Sequence, residues 1–239
     1  AHEEERATSI LAAMNGCRRA WWPGRWPRLA WPSTCLVCGR WPAATVCPAC
    51  LALFARPPAP PPAPPPALDA CLAAVAYAYP WDRLIGRFKF RREPGLAEVL
   101  AHLVLDTPGF AALADGCDHI VPVPLSRSRL AERGFNQAWE LIRVWGRAQP
   151  RLRPKALALG LQRCEGRPDQ HHLPRQQRLH NLSGAFAVPA PVRPVLQGRH
   201  VLLVDDVTTT GATLGHAARA LRQAGAASVR AAVVAATPG

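Results

Sequence analysis

VLLVDDVTTTGATL, residues 201 to 214, joins four apolar residues to two adjacent carboxylates and then to a hydroxyl-rich turn. The run Val201, Leu202, Leu203, Val204 suits a strand covered on both faces, as in a parallel sheet between helices. From Thr213 the apolar residues Leu214, Ala217, Ala218 and Leu221 fall at helical spacing, and Gly225 supplies a stop. The turn around Gly211 thus ends at a helix N-terminus, where unpaired backbone N–H groups and the dipole favour an anion. Thr208, Thr209, Thr210 and Thr213 add hydroxyl donors. Carboxylates beside a phosphate would repel it, so Asp205 and Asp206 are expected to hydrogen-bond a sugar diol or to hold Mg²⁺ through water. Phosphate, ribose and a divalent cation are implied together. The sequence has no G-x-x-x-x-G-K loop and no G-x-G-x-x-G after a strand, which sets aside two other nucleotide motifs. A threonine-rich strand, turn and helix without a ligand is the plainer alternative, and the coincidence of all these features weighs against it.

This segment resembles the phosphoribosyl pyrophosphate (PRPP) signature of the type I phosphoribosyltransferases. The resemblance implies that Asp205 and Asp206 contact ribose hydroxyls and that Thr208, Thr209, Thr210, Gly211, Ala212 and Thr213 surround the 5′-phosphate.

A second motif lies far upstream. Cys35, Cys38, Cys47 and Cys50 read C-x2-C-x8-C-x2-C, and four thiolates at that spacing can enclose a tetrahedral Zn²⁺. With four protein ligands the zinc is structural, and so short a segment takes much of its folding energy from the metal. Two disulfides are the other reading of the same cysteines. The remaining four, Cys17, Cys71, Cys117 and Cys164, are scattered, which suits a reducing compartment. No run approaches the length of a membrane span, and AHEEERATSI lacks the character of a secretory signal, so a cytoplasmic protein is expected.

The 239 residues divide by composition. Residues 1–32 are rich in tryptophan and arginine, with Trp21, Trp22, Trp26 and Trp31 interrupted by prolines; they suit packing on the zinc module, or stacking on bases. Residues 33–55 form the zinc module. RPPAPPPAPPPA at 56–67 is a polyproline spacer, on the order of 35 Å if extended. The remainder, 68–239, reads as one α/β domain with a mainly parallel sheet. Its expected strands are 75–79, 119–123, 186–188, 201–204 and 229–234, and helices are expected over Leu96 to Leu105 and Leu130 to Gly146. The net charge of +13 favours polyanionic partners. Only Lys89 and Lys155 are lysines, and the abundance of arginine, alanine and proline is also what a GC-rich genome produces.

PVPLSRSRLAERGFN at 122–136 follows a strand and carries Arg127, Arg129 and Arg133 beside Gly134, cations suited to the charge that develops on a departing pyrophosphate. A solvated basic helix start is the alternative. PVPLSRSRLAERGFNQA together with LIGRFKF at 84–90, RLHNLSGAF at 178–186 and the PRPP loop resembles the ComF/GntX family in the same order along the chain. The resemblance covers roughly 33–55 and 72–236. It implies a small zinc module joined to a phosphoribosyltransferase-type domain, and a role in competence, handling incoming single-stranded DNA with other DNA-uptake proteins. In the segment corresponding to the mobile hood, Arg163 and Gln170 match the family pattern, whereas Glu165 and Arg167 break it. Arg175 and Arg178 are further hood candidates, and His171 and His172 suit a solvated loop better than a catalytic one.

Two functional classes follow. As a transferase, the protein would bind PRPP with Mg²⁺ and pass the ribosyl group to a nitrogen acceptor with release of pyrophosphate; no side chain need act as a covalent nucleophile, and none is assigned as catalytic. As a binding module, the same pocket would sense a phosphoribosyl or nucleotide ligand while the zinc module and arginine surface engage DNA or a partner.

Overall fold

The parallel sheet pairs each of its edge strands with a strand remote in sequence. In the computed structural model, which describes residues 33–58, 64–91, 93, 95–164 and 184–237, β1 (Ala70–Ala76) and β2 (His119–Pro122) form the two edges. β5 (His200–Thr208) and β6 (Ser228–Ala236) lie between them, in the order β1-β6-β5-β2, and every pairing is parallel. Two short antiparallel strands, β3 (Gln162–Arg163) and β4 (Phe186–Ala187), make a separate ribbon. The expectation that 186–188 completes the main sheet is therefore corrected: Phe186 pairs with Arg163, and its ring joins the core from outside the sheet.

Alternate residues of the central strands feed opposite faces. Val201 and Leu203 of β5 and Val229, Ala231 and Val233 of β6 pack with Leu214, Ala217, Ala218 and Leu221 of α8 (Ala212–Gln223). On the other face lie α3 (Leu96–Leu105) and α6 (Gln137–Ala148), where the Trp145 indole N–H donates to the Ala101 carbonyl at 3.1 Å. With both faces covered, the strands read as nearly continuous apolar runs.

The helix expected over 130–146 is two helices, α5 (Arg127–Arg133) and α6. Gly134 ends the first at φ 81°, and Asn136 caps the second, its Oδ1 accepting from the Trp139 N–H at 3.1 Å. The Asn136 amide also donates to the Val123 carbonyl at 3.0 Å, which fixes this break against the end of β2. LIGRFKF lies in α2 (Trp81–Phe90), and α1 (Pro48–Phe54) closes the cysteine cluster. A short helix, α4 (Phe110–Asp115), precedes β2, and another, α7 (Arg193–Leu196), precedes β5. Among the described residues no helix is long and apolar enough to cross a membrane. The tryptophan-rich residues 1–32 and part of the spacer, 59–63, lie outside the described residues.

Candidate ligand site and cysteine cluster

Strand β5 runs past its apolar core and carries Asp205 and Asp206 as its own residues, rather than ending before them as the apolar run suggested. Because neighbouring side chains on a strand alternate, the two carboxylates start from opposite faces at the carboxyl end of the sheet. Asp206 is buried, at 5% exposure, whereas Asp205 is partly open. The Asp205 Oδ1 turns back to accept the Asp206 backbone N–H at 2.8 Å. Burial and the neighbouring Asp206 carboxylate push Asp205 up to about 7, with the charges of Lys89 and Arg133 acting in the opposite sense. A hard divalent cation beside Asp205 would offset that cost.

Cations reach this pair from two directions. Lys89, in the last turn of α2, places Nζ 2.8 Å from Asp206 Oδ1. Arg133, at the end of α5, is nearly buried, donates through Nη1 to Gln137 Oε1 at 2.9 Å, and lies over the Phe90 ring at 5.3 Å. Arg133 Nε and Gln137 Nε2 are buried without a hydrogen-bond partner, so this arginine, whose charge acts on Asp205, keeps unspent donor capacity. Arg127 and Arg129 are exposed on the same helix. The three arginines of the pyrophosphate expectation therefore divide, with Arg133 alone packed inside. Neither Lys89 nor Gln137 stood out as a site residue in the sequence.

The loop after β5 is open to solvent. Thr209, Thr210, Ala212 and Thr213 are exposed, the Thr208 carbonyl accepts from Thr237 N–H at 3.0 Å, and Gly211 precedes α8 at φ 72°. A Cβ at Gly211 would overlap the ring of Pro65, and one at Gly215 would come within 3.3 Å of the same proline. The end of the proline-rich segment thus lies along the first turn of α8. Of the hood residues, Arg163 is on β3, its guanidinium 5.4 Å from the centre of the Phe186 ring; Gln170, Arg175 and Arg178 lie outside the described residues, as do Glu165, Arg167, His171 and His172.

The four cysteines Cys35, Cys38, Cys47 and Cys50 meet with all four sulfurs within 4.8 Å of one another. The Cys35–Cys50 and Cys38–Cys47 sulfurs are 3.9 and 3.8 Å apart. Those are the edges of a tetrahedron of Zn–S bonds near 2.3 Å, which measure about 3.8 Å, and all four cysteines are free of disulfides. The cluster could therefore hold zinc. Burial works against the Cys35 thiolate, but the backbone N–H groups around it, that of Cys47 at 3.3 Å among them, together bring it down to about 6. The module is fastened to the larger domain: the Trp81 indole donates to the Phe54 carbonyl at 2.8 Å, and the Phe54 and Tyr79 rings meet edge to face at 5.7 Å.

A parallel α/β sheet with an acidic pair and a loop at the end of one strand, preceded by a four-cysteine cluster, defines a phosphoribosyltransferase-type domain with an N-terminal four-cysteine module. The family model described as phosphoribosyl transferase domain matches residues 169–239. The DNA utilization protein YhgH of Salmonella typhimurium is 33% identical over 211 residues, which are 82% of this chain and 87% of that protein. Its namesake in Escherichia coli is 37% identical over 157 residues, covering 64% of this chain and 66% of its own length. Competence protein F of Haemophilus influenzae is 33% identical over 157 residues, 62% of this chain and 65% of that one. The chain belongs to the ComF family.

Proposed function

We propose that the protein binds PRPP with Mg²⁺ at the carboxyl end of β5 and serves in DNA utilisation or uptake. The observation that carries the ligand reading is the acidic pair, with Asp206 buried and Asp205 partly open, which leads directly into an open loop at the start of a long helix and is faced by Lys89 and Arg133. Asp205 and Asp206 would hold the ribose diol and the metal, and the 208–213 turn the 5′-phosphate. Arg133, with Arg127 and Arg129 further out, would meet the pyrophosphate. When bound, Mg²⁺ would neutralise pyrophosphate and ease its departure. The chain's own residues would position the sugar and supply fixed positive charge; a nitrogen acceptor would then complete a phosphoribosyl transfer. Zinc at the four cysteines would be structural.

The role with DNA rests on the names of the relatives, DNA utilization protein and competence protein, and on the net charge of +13. A binding module without transfer chemistry is the second reading, favoured by exposed rings beside arginines: Tyr79 with Arg83 at 5.2 Å, and Phe90, 65% exposed, under Arg133. Thermal melting with millimolar PRPP and Mg²⁺ tests the ligand reading, because a ligand of the native state raises the melting temperature by mass action. No shift in the wild type would sink it. Pyrophosphate release across a panel of nucleobases and amines separates transferase from binding module.

A further inference from the structure

In a chain whose positive charge is almost entirely arginine, each of its two lysines has a task a guanidinium would do differently. Lys155 donates to the carbonyls of Ala114, Asp115 and Cys117 at 2.8, 3.2 and 2.8 Å, a fixed structural clasp below β2. Lys89 gives its charge to Asp206 across 2.8 Å, with both side chains largely removed from solvent, at 16% and 8% exposure. An ammonium on a four-carbon stem is a point charge that can release one anion and take another, whereas an arginine fork at the same place would grip the carboxylate in two places.

We infer that Lys89 is the internal counter-cation of Asp206, and that it must leave this carboxylate before a divalent cation can use the acidic pair. The inference rests on the pocket reading above and deepens it. Charge counting carries the argument. Asp205 and Asp206, if both ionised, are balanced by Lys89 and Arg133, so a bare divalent cation entering with Lys89 in place would leave the cluster with two excess positive charges in a partly buried site. A metal that arrives with a diphosphate removes that excess and offers the released ammonium new oxygens. Lys89 therefore makes the pair a poor site for free metal and a good one for metal carried by a phosphorylated ligand. Arg133 cannot substitute for it: its Nη1 is held by Gln137, and its guanidinium is packed over Phe90.

The test uses Mn²⁺ alone, titrated into the full-length protein and followed by electron paramagnetic resonance of the free ion. Lys89→Met should bind one Mn²⁺ about tenfold or more tightly than the wild type, and Lys89→Gln should do the same, so either variant that retains a cooperative melt suffices. Lys89→Arg should bind Mn²⁺ no better than the wild type. The gain should vanish when Asp206→Asn is added. Unchanged or weaker Mn²⁺ binding in the methionine and glutamine variants overturns the inference, as does a gain that survives Asp206→Asn. Failure of the PRPP reading would appear separately, as a wild-type protein whose melting is indifferent to PRPP, since the Mn²⁺ titration contains no phosphoribosyl ligand.

Discussion

The ring of Pro65 occupies the space that a side chain at Gly211 would need. The tether from the cysteine cluster thus ends against the loop that would hold the phosphate, and two segments that composition sets far apart are in contact. Gly211 is constrained twice, by this ring and by its φ of 72°. Gly211→Ala should cost about 1 to 2 kcal/mol from the backbone conformation and the overlap together, and it should abolish any thermal shift with PRPP. Pro65→Ala in the same background should recover part of the stability. A variant as stable as the wild type would show that the tether does not lie there in solution.

Asp205 carries a pH dependence with a definite sign. Its folded-state pKa lies above the ordinary carboxylate value, so the folded protein binds this proton more readily than the unfolded chain does. The stabilisation linked to the shift is fully present below about pH 4 and is lost as the pH rises through about 7. Asp205→Asn should therefore stabilise the ligand-free protein at pH 8 by on the order of 2 kcal/mol and have little effect near pH 4. Urea melts at the two pH values measure this. An equal effect at both would assign the change to packing instead.

Metal analysis should find about one zinc per chain, and Cys38→Ser should lose it. Because the Phe54 carbonyl accepts from the Trp81 indole, chelation should also loosen the start of α2 and shift tryptophan emission, although the sheet remains folded. Trp81→Phe, which removes that hydrogen bond and leaves a void where the fully buried indole stood, should cost about 2 to 3 kcal/mol. Zinc removal that leaves both the melt and the emission unchanged would refute the attachment.

Arg133 and Arg129 should separate stability from surface charge. Arg133→Ala vacates a buried site beside two carboxylates and should destabilise by about 3 kcal/mol, whereas Arg129→Ala should stay within about 0.5 kcal/mol. Similar melting of the two variants would contradict the burial difference between them.

If single-stranded DNA is a partner, its affinity should fall steeply with salt. Tyr79→Ala and Phe90→Ala should each weaken it by about 1 to 3 kcal/mol if a base stacks there. Fluorescence anisotropy with a labelled oligonucleotide reads both effects. Deleting residues 1–55 should weaken single-strand binding more than duplex binding, and equal losses would leave charge alone as the cause.

Much of the architecture was legible because its signals are local. The helix over Leu96–Leu105, the strand into Asp205 and the C-x2-C pairs each follow from periodicity or spacing within a few residues. The helix break between Arg133 and Gln137 was legible in principle, since Gly134 and Asn136 are ordinary stop and start residues, but the continuous apolar period across them masked it. The placement of Phe186 outside the sheet depends on pairing with Arg163, which no local pattern discloses. The same holds for Lys89. Its partner lies more than a hundred residues away, and the available hint was the rarity of lysine in this chain.

The strand order β1-β6-β5-β2 also sets a timetable for synthesis. Ala70 of β1 pairs with Arg230, and His119 of β2 pairs with Val201, so both edge strands emerge from the ribosome before the strands that join them exist. The cysteine cluster closes over sixteen residues and can fold early, whereas β1 has no partner until β6 is made, after β2 has already been able to pair with β5. A nascent chain halted before β6 would carry a closed cysteine cluster on an unfinished sheet, with apolar strand edges open to aggregation.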